Sequence, residues 1–235
     1  FKEYKSDLMR FFLDFPDITI IKERKQPIPQ TDLLVSFFGR FGSVLFSFSL
    51  TVGKLRAFQI NPTKSREFGV PRPNPELDKF GGNLPAVIDT IKKENKYAWQ
   101  AIMNAMKSIL PNLSTVEVDY THNRRLGLFF KEDGFGRSWS VEEVSDGTIQ
   151  TLALLVAIFD SESTTLIIEE PENSVHPWII RQLIEACRLA SKNKQIIITT
   201  HSPIVINAIN PAKLWVMWRA DGESKIAKVS ELDQD

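Results

Sequence analysis

Glu169 and Glu170 stand side by side at the end of an apolar run, Leu166-Ile167-Ile168, and Pro171 follows at once. Such a run reads as a buried strand, and the proline ends its ladder. Two adjacent carboxylates there lose hydration and repel each other unless a cation neutralises them or one serves in proton transfer. A second apolar run, Gln195-Ile196-Ile197-Ile198-Thr199-Thr200, leads into His201-Ser202-Pro203. His201 therefore occupies the same kind of position as the acids, where an imidazole can donate to an anion or position a water. One helix and one strand fit between Glu170 and His201, so adjacent parallel strands can bring both to one crevice. Parallel α/β sheets bind ligands at the carboxyl ends of their strands.

A third candidate lies upstream. Val144-Ser145-Asp146-Gly147-Thr148 opens an apolar helical stretch, Thr148–Phe159. Ser or Asp at such a place caps the helix, and Gly leaves the backbone accessible. A helix start is also an anion-binding end, because its free N–H groups and the dipole point outward. Taken alone, the string fits an ordinary cap equally well.

These residues need a frame to hold them. After Ser145 the pattern alternates: helix Thr148–Phe159, strand Thr164–Ile168, helix Pro177–Leu189, strand Gln195–Thr200, short helix Ile204–Ile209, strand Leu214–Trp218. Apolar strands alternating with helices predict a parallel sheet covered on both faces. Before it, Thr115–Tyr120 and Leu126–Lys131 read as a strand pair. Asn83 to Leu110 has helical periodicity, read as two helices broken near Asn95 and ended by Pro111. The first stretch predicts a helix over Ser6–Phe15, stopped by Pro16, then strands Leu33–Phe38 and Val44–Val52 with turns at Gly39, Gly42 and Gly53. The expected organisation is a β-rich lobe over residues 1–62, a helical insert over 63–113 and a site-bearing lobe over 114–235.

Composition bounds the rest. The chain has 235 residues, with 29 Lys+Arg against 29 Asp+Glu. Zero net charge excludes a uniformly basic coat for nucleic acid but leaves room for a local patch. A single cysteine, Cys187, excludes an intramolecular disulfide and a multi-cysteine zinc site. It reads as a small buried residue. No apolar run approaches the ~18 residues of a membrane span, so the expectation is a cytoplasmic chain without membrane contact. Trp99 reads as core. Lys22, Arg24 and Lys25 read as a solvated loop with DNA contact as the alternative, and Arg66 and Arg72 as residues that could reach phosphate or DNA.

In this order and spacing, SDGT, IIEEPE, NSVHP and TTHSP resemble the C-terminal half of an ABC-type ATPase head. The group is the RecF-like and overcoming-lysogenization-defect-like ATPases, AAA-type proteins often found in prokaryotic phage defence. LDKFGGNLPAVI and EVSDGTIQTLALLVAIF are typical of it, and the resemblance covers roughly residues 57–218. It implies an α/β head with a mostly parallel core sheet, an N-terminal antiparallel β lobe and a helical insert. It also implies ATP and Mg²⁺ as cofactors and a homodimer formed through the nucleotide, with closure acting on DNA or a nuclease effector. Glu169 resembles the metal-holding Walker B acid, where Asp is usual, and Glu170 the general base. His201 resembles the switch histidine. Asn173 to His176 resembles the loop that crosses the dimer interface, with His176 in place of the usual Asp. Ser145, Asp146 and Gly147 resemble the signature that meets the partner's γ-phosphate.

The phosphate loop GxxxxGK[ST] that the resemblance calls for does not occur as a string. Lys5-Ser6, ahead of the helical SDLMRFFLDF, is the nearest fragment, and Phe1-Lys2-Glu3-Tyr4 resembles the strand before such a loop. Either a stretch is omitted between Tyr4 and Lys5, with Lys5 on the β/γ-phosphates and Ser6 on the metal, or Ser6 is an ordinary cap. A metal-linking glutamine is also expected, with Gln26, Gln30 and Gln59 as candidates. Two other readings stand beside the ATPase. One is an ATP-held scaffold with little turnover; the other is a metallohydrolase using Glu169, Glu170 and His176 or His201 directly.

Overall fold

Three short strands carry the acids and the histidine. They are β1 (Leu55–Phe58), β5 (Thr165–Glu169) and β6 (Gln195–Thr199), parallel and in the order β1-β5-β6. In register, Phe58 lies beside Ile168 and Ile168 beside Ile198. Side chains alternate across a strand, so Phe58, Leu166 and Ile168 share one face and are buried in the core, with Ile196 and Ile198 packed against it. On the opposite face Ala57 and Ile167 are half-buried and Ile197 is 41% exposed.

The computed structural model describes residues 55–160, 163–220 and 222–231, within the unit Leu50–Asp235. The expected helix over Ser6–Phe15 and the strands Leu33–Phe38 and Val44–Val52 lie outside the described residues.

Following β1 come α1 (Pro62–Ser65), α2 (Leu84–Glu94) and α3 (Lys96–Ile109). The expected break at Asn95 is real. Asn95 ends α2, and its side chain caps α3 by accepting from Ala98 N at 3.1 Å. An antiparallel sheet follows: β2 (Leu113–Tyr120), β3 (Leu126–Glu132) and β4 (Ser138–Ser140). Its inward residues, among them Val116, Leu128 and Phe130, join the same core. Helix α4 (Asp146–Asp160) is buried continuously from Ile149 to Ile158. A helix apolar all round belongs inside, and α4 is the central rod of this fold. Helix α5 (Pro177–Ala190) is amphipathic and buries Ile180, Leu183, Ile184, Ala186 and Cys187. Helix α6 (Pro203–Asn207) follows β6.

The last predicted strand needs correction. Among the described residues β7 (Trp215–Ala220) does not pair with the parallel sheet; it forms an antiparallel hairpin with β8 (Glu223–Lys228), Ala220 opposite Glu223. The cause is local: Asp221-Gly222 is a strong two-residue hairpin signal. Gly222 has φ +82°, which glycine adopts without steric penalty. Among the described residues no helix is long and apolar enough to cross a membrane.

Candidate active site at the carboxyl rim of the parallel sheet

Because β1, β5 and β6 run parallel, their carboxyl ends meet at one rim. Gln59 follows β1, Glu169 and Glu170 end β5, and Thr200 and His201 follow β6. Glu170 N donates to Thr199 O at 2.9 Å, which extends the ladder one residue past β5. The chain then turns sharply. Glu170 has φ +47°, a left-handed conformation unusual for a residue with a Cβ and concentrated at functional positions. Its Oε2 accepts from Asn173 Nδ2 at 2.9 Å, and its Oε1 lies 3.7 Å from His201 Nε2. That last separation is too long for a direct hydrogen bond. The Glu170 side chain is 39% exposed and that of His201 92% exposed, so the two converge on solvent. Glu169 Oε1 lies 3.5 Å from Lys79 Nζ.

The sequence did not single out Glu172. Its Oε1 accepts from Thr200 Oγ1 and from His201 N, the latter at 3.1 Å. Thr200 Oγ1 in turn accepts from Ser202 N at 2.9 Å. One carboxylate thereby ties the histidine loop to the turn after β5. Its other oxygen, Oε2, is buried and has no hydrogen-bond partner. The only signal in the sequence was a third acid directly after Pro171; that it faces Thr200 is a tertiary fact.

The start of α4 is assembled from several directions. Ser145 is exposed, and its Oγ accepts from Thr148 N at 3.1 Å, so it is the expected cap. Asp146 pairs with Arg66. Arg66, only 19% exposed, also donates to Val144 O at 2.7 Å and to Val141 O at 3.1 Å. The sequence offered Arg66 as free to reach phosphate or DNA, but three acceptors within its own chain occupy it. Gly147 is needed for space, since a Cβ there would lie 2.8 Å from the Ser174 carbonyl oxygen. The Ser145–Gly147 segment thus packs on the turn that carries Asn173. His176 caps α5 by accepting from Trp178 N at Nδ1.

The remaining candidates separate clearly. Lys5, Ser6, Gln26, Gln30, Lys22, Arg24 and Lys25 lie outside the described residues. Arg72 is exposed. Trp99 packs against the core with Lys92 Nζ 5.3 Å above its ring, and burial lowers the pKa of that ammonium. Burial pushes the Cys187 thiol up to about 12, which keeps it protonated and unreactive.

Among the described residues no three His, Cys, Asp or Glu side chains could hold a metal by themselves. Glu169 still suits magnesium: it is a hard carboxylate at an open rim, and Mg²⁺ in phosphoryl-transfer sites takes one or two carboxylates with waters and substrate phosphates.

A family model described as "AAA domain, putative AbiEii toxin, Type IV TA system" matches residues 7–207, most of the chain. The chain belongs to this AAA-domain family. No curated protein matches it. Among solved structures it is similar to an SMC head bound to the C-winged helix domain of ScpA, with 14% identity, TM-score 0.48, and coverage of 60% of this chain and 48% of that one. The SMC head domain from Thermotoga maritima gives 18% identity and TM-score 0.42, covering 60% and 50%. A structure from work on ATP-driven dimerization and DNA stimulated activation of SMC ATPases gives 14% and 0.42, covering 60% and 88%. The chain thus spans about half the length of two of these structures. The rim brings together Glu169, the solvent-facing carboxylate of Glu170 and the imidazole of His201.

Proposed function

We propose that this AAA-domain chain binds ATP with Mg²⁺ between two copies and hydrolyses it, and that closure of the pair acts on DNA or a nuclease effector in anti-phage defence. The observation that carries the reading is the convergence of Glu170 and His201 on solvent at the carboxyl rim, with Glu169 adjacent. Glu169 would hold Mg²⁺, which supplies charge neutralisation at the β- and γ-phosphate oxygens. Glu170 orients the attacking water and accepts its proton as the Pγ–O bond to ADP breaks. His201 donates to a γ-phosphate oxygen, and Gln59, beside the same rim, links the metal site to α1. If Lys5 and Ser6 are the end of a phosphate loop, they would be its lysine and serine. The second copy contributes Ser145 and the α4 N-terminus, whose free N–H groups favour anionic oxygen. Asn173 borders that interface.

In this reading residues 1–62 form the nucleotide lobe, 63–113 the helical insert and 114–235 the lobe with signature, acids and histidine. The family description, with its toxin–antitoxin context, supports an effector role. Steady-state ATP turnover by Glu170→Gln tests the reading. Loss of the base should lower kcat about 10²-fold or more while ATP still binds. A change within about threefold, under ~1 kcal/mol in barrier, overturns the base assignment, whereas a parent chain that binds ATP with little turnover leaves ATP-held assembly as the function.

A further inference from the structure

Lys79 is the one cation paired with Glu169 among the described residues, and its backbone is held with unusual care. Asp78 Oδ1 accepts from Phe80 N and from Gly82 N, both at 2.9 Å. Asn83 closes the same turn from the other side: its Oδ1 accepts from Asp78 N at 2.9 Å, and its Nδ2 donates to Glu76 O at 2.7 Å. Gly81 has φ +80°, and a Cβ there would lie 2.4 Å from Ser65 Oγ. The turn is also stitched to the end of β1. Lys79 O accepts from Gln59 N at 2.9 Å and Phe80 O from Asn61 N at 3.1 Å.

The Lys79 side chain is held more loosely, its Nζ 5.6 Å from the centre of the Phe80 ring. It is 47% exposed and reaches across to Glu169 on the neighbouring strand. A rigid turn with one flexible ammonium, delivered to the carboxylate that the proposed function assigns to the metal, is more than a stray surface pair. Two cations at one carboxylate repel each other, so lysine and divalent metal exclude one another there.

We propose that Lys79 is a built-in counter-cation for Glu169: it neutralises the carboxylate in the metal-free protein and must leave before a divalent cation binds, which sets the metal affinity of the site. Lys79 is thus a positioning residue. Displaced from Glu169, its ammonium stays anchored at the rim and is available to an anionic oxygen. This inference rests on Glu169 as the metal-holding acid.

The test is Mn²⁺ titration of the full chain without nucleotide, followed by electron paramagnetic resonance. Lys79→Met should bind Mn²⁺ about two- to fivefold more tightly than the parent, the range expected from a partly exposed pair. Lys79→Arg should restore weak binding. Lys64→Met is the control, since Lys64 pairs with Glu67 at 2.7 Å and should leave Mn²⁺ affinity unchanged. A loss of structure does not tighten a metal site, so a gain isolates the proposed role. Unchanged or weaker binding by Lys79→Met overturns the inference, as does equal tightening by Lys64→Met. Glu169→Gln separates the two levels. If it weakens Mn²⁺ binding while Lys79→Met does nothing, only the counter-cation role falls. If no Mn²⁺ binding depends on Glu169, the metal role falls with it.

Discussion

The two ends of the candidate site are held in opposite ways. At the start of α4, Arg66 is largely buried and donates to three acceptors, Ser145 caps the helix, and Gly147 lies against the Ser174 backbone. At the rim, Glu170 is steadied among the described side chains by Asn173, and His201 is nearly all solvent-exposed at 3.7 Å from it. The first end presents backbone donors, which help most when they need no reorganisation as charge develops. In the proposed function the second end would admit a substrate and a water before it acts, and closure would bring a preformed donor onto an unfinished acceptor.

The rigid end is most vulnerable at Gly147. Gly147→Val drives a side chain into the Ser174 carbonyl, a backbone atom that cannot rotate away. We expect a loss of about 3 kcal/mol, read as a lowered midpoint in urea, together with loss of ATP-dependent dimerisation by sedimentation. Arg66→Ala comes next. It leaves Val141 O and Val144 O without their donor, for about 2 kcal/mol, while Arg66→Lys recovers part of it. A stability change below ~0.5 kcal/mol in Arg66→Ala would show that the loop is fixed by other means.

Glu172→Ala should loosen the open end by about 1–2 kcal/mol. Amide exchange should speed up at Thr200 to Ser202 and leave the α4 start unchanged; an even increase in both places would erase the contrast. Cys187 adds a reference point from the core, away from both ends. Its folded pKa, about 12, lies above the ordinary value of 9.0, so the folded state keeps a proton that the unfolded state loses. Stability from this group is complete below pH 9 and falls by about 1.4 kcal/mol per unit as pH rises towards 12. Cys187→Ala should show a flatter stability profile above pH 9 than the parent, even though it starts lower. The slightest change belongs to Asn173→Ala, which removes one contact to an exposed carboxylate. It should change stability by less than ~0.5 kcal/mol, with turnover reduced only a few-fold.

Much of this was legible in the residues. Periodicity placed α2, α3, α4 and α5, and Asn95 announced its own break, because helices are built from local spacing and local caps. The apolar strands placed Glu170 and His201 at neighbouring strand ends, since parallel order needs only a helix and a strand between them. The Asp221-Gly222 hairpin was also written locally, but the apolar run of β7 concealed it, because such runs read alike in parallel and antiparallel partners.

Short-range pattern was therefore enough to specify α2 to α5, β2, β3, β5 and β6 and the side chains that end β5 and β6, whereas β1, β4 and β8 were not read from it. The folded chain alone decided that Arg66 is spent on the start of α4, that Glu172 clamps Thr200 and that Lys79 faces Glu169. Each of those pairs joins residues far apart in the chain. A charged side chain takes its partner from whatever the fold sets within a few ångströms, and neither composition nor spacing carries that distance.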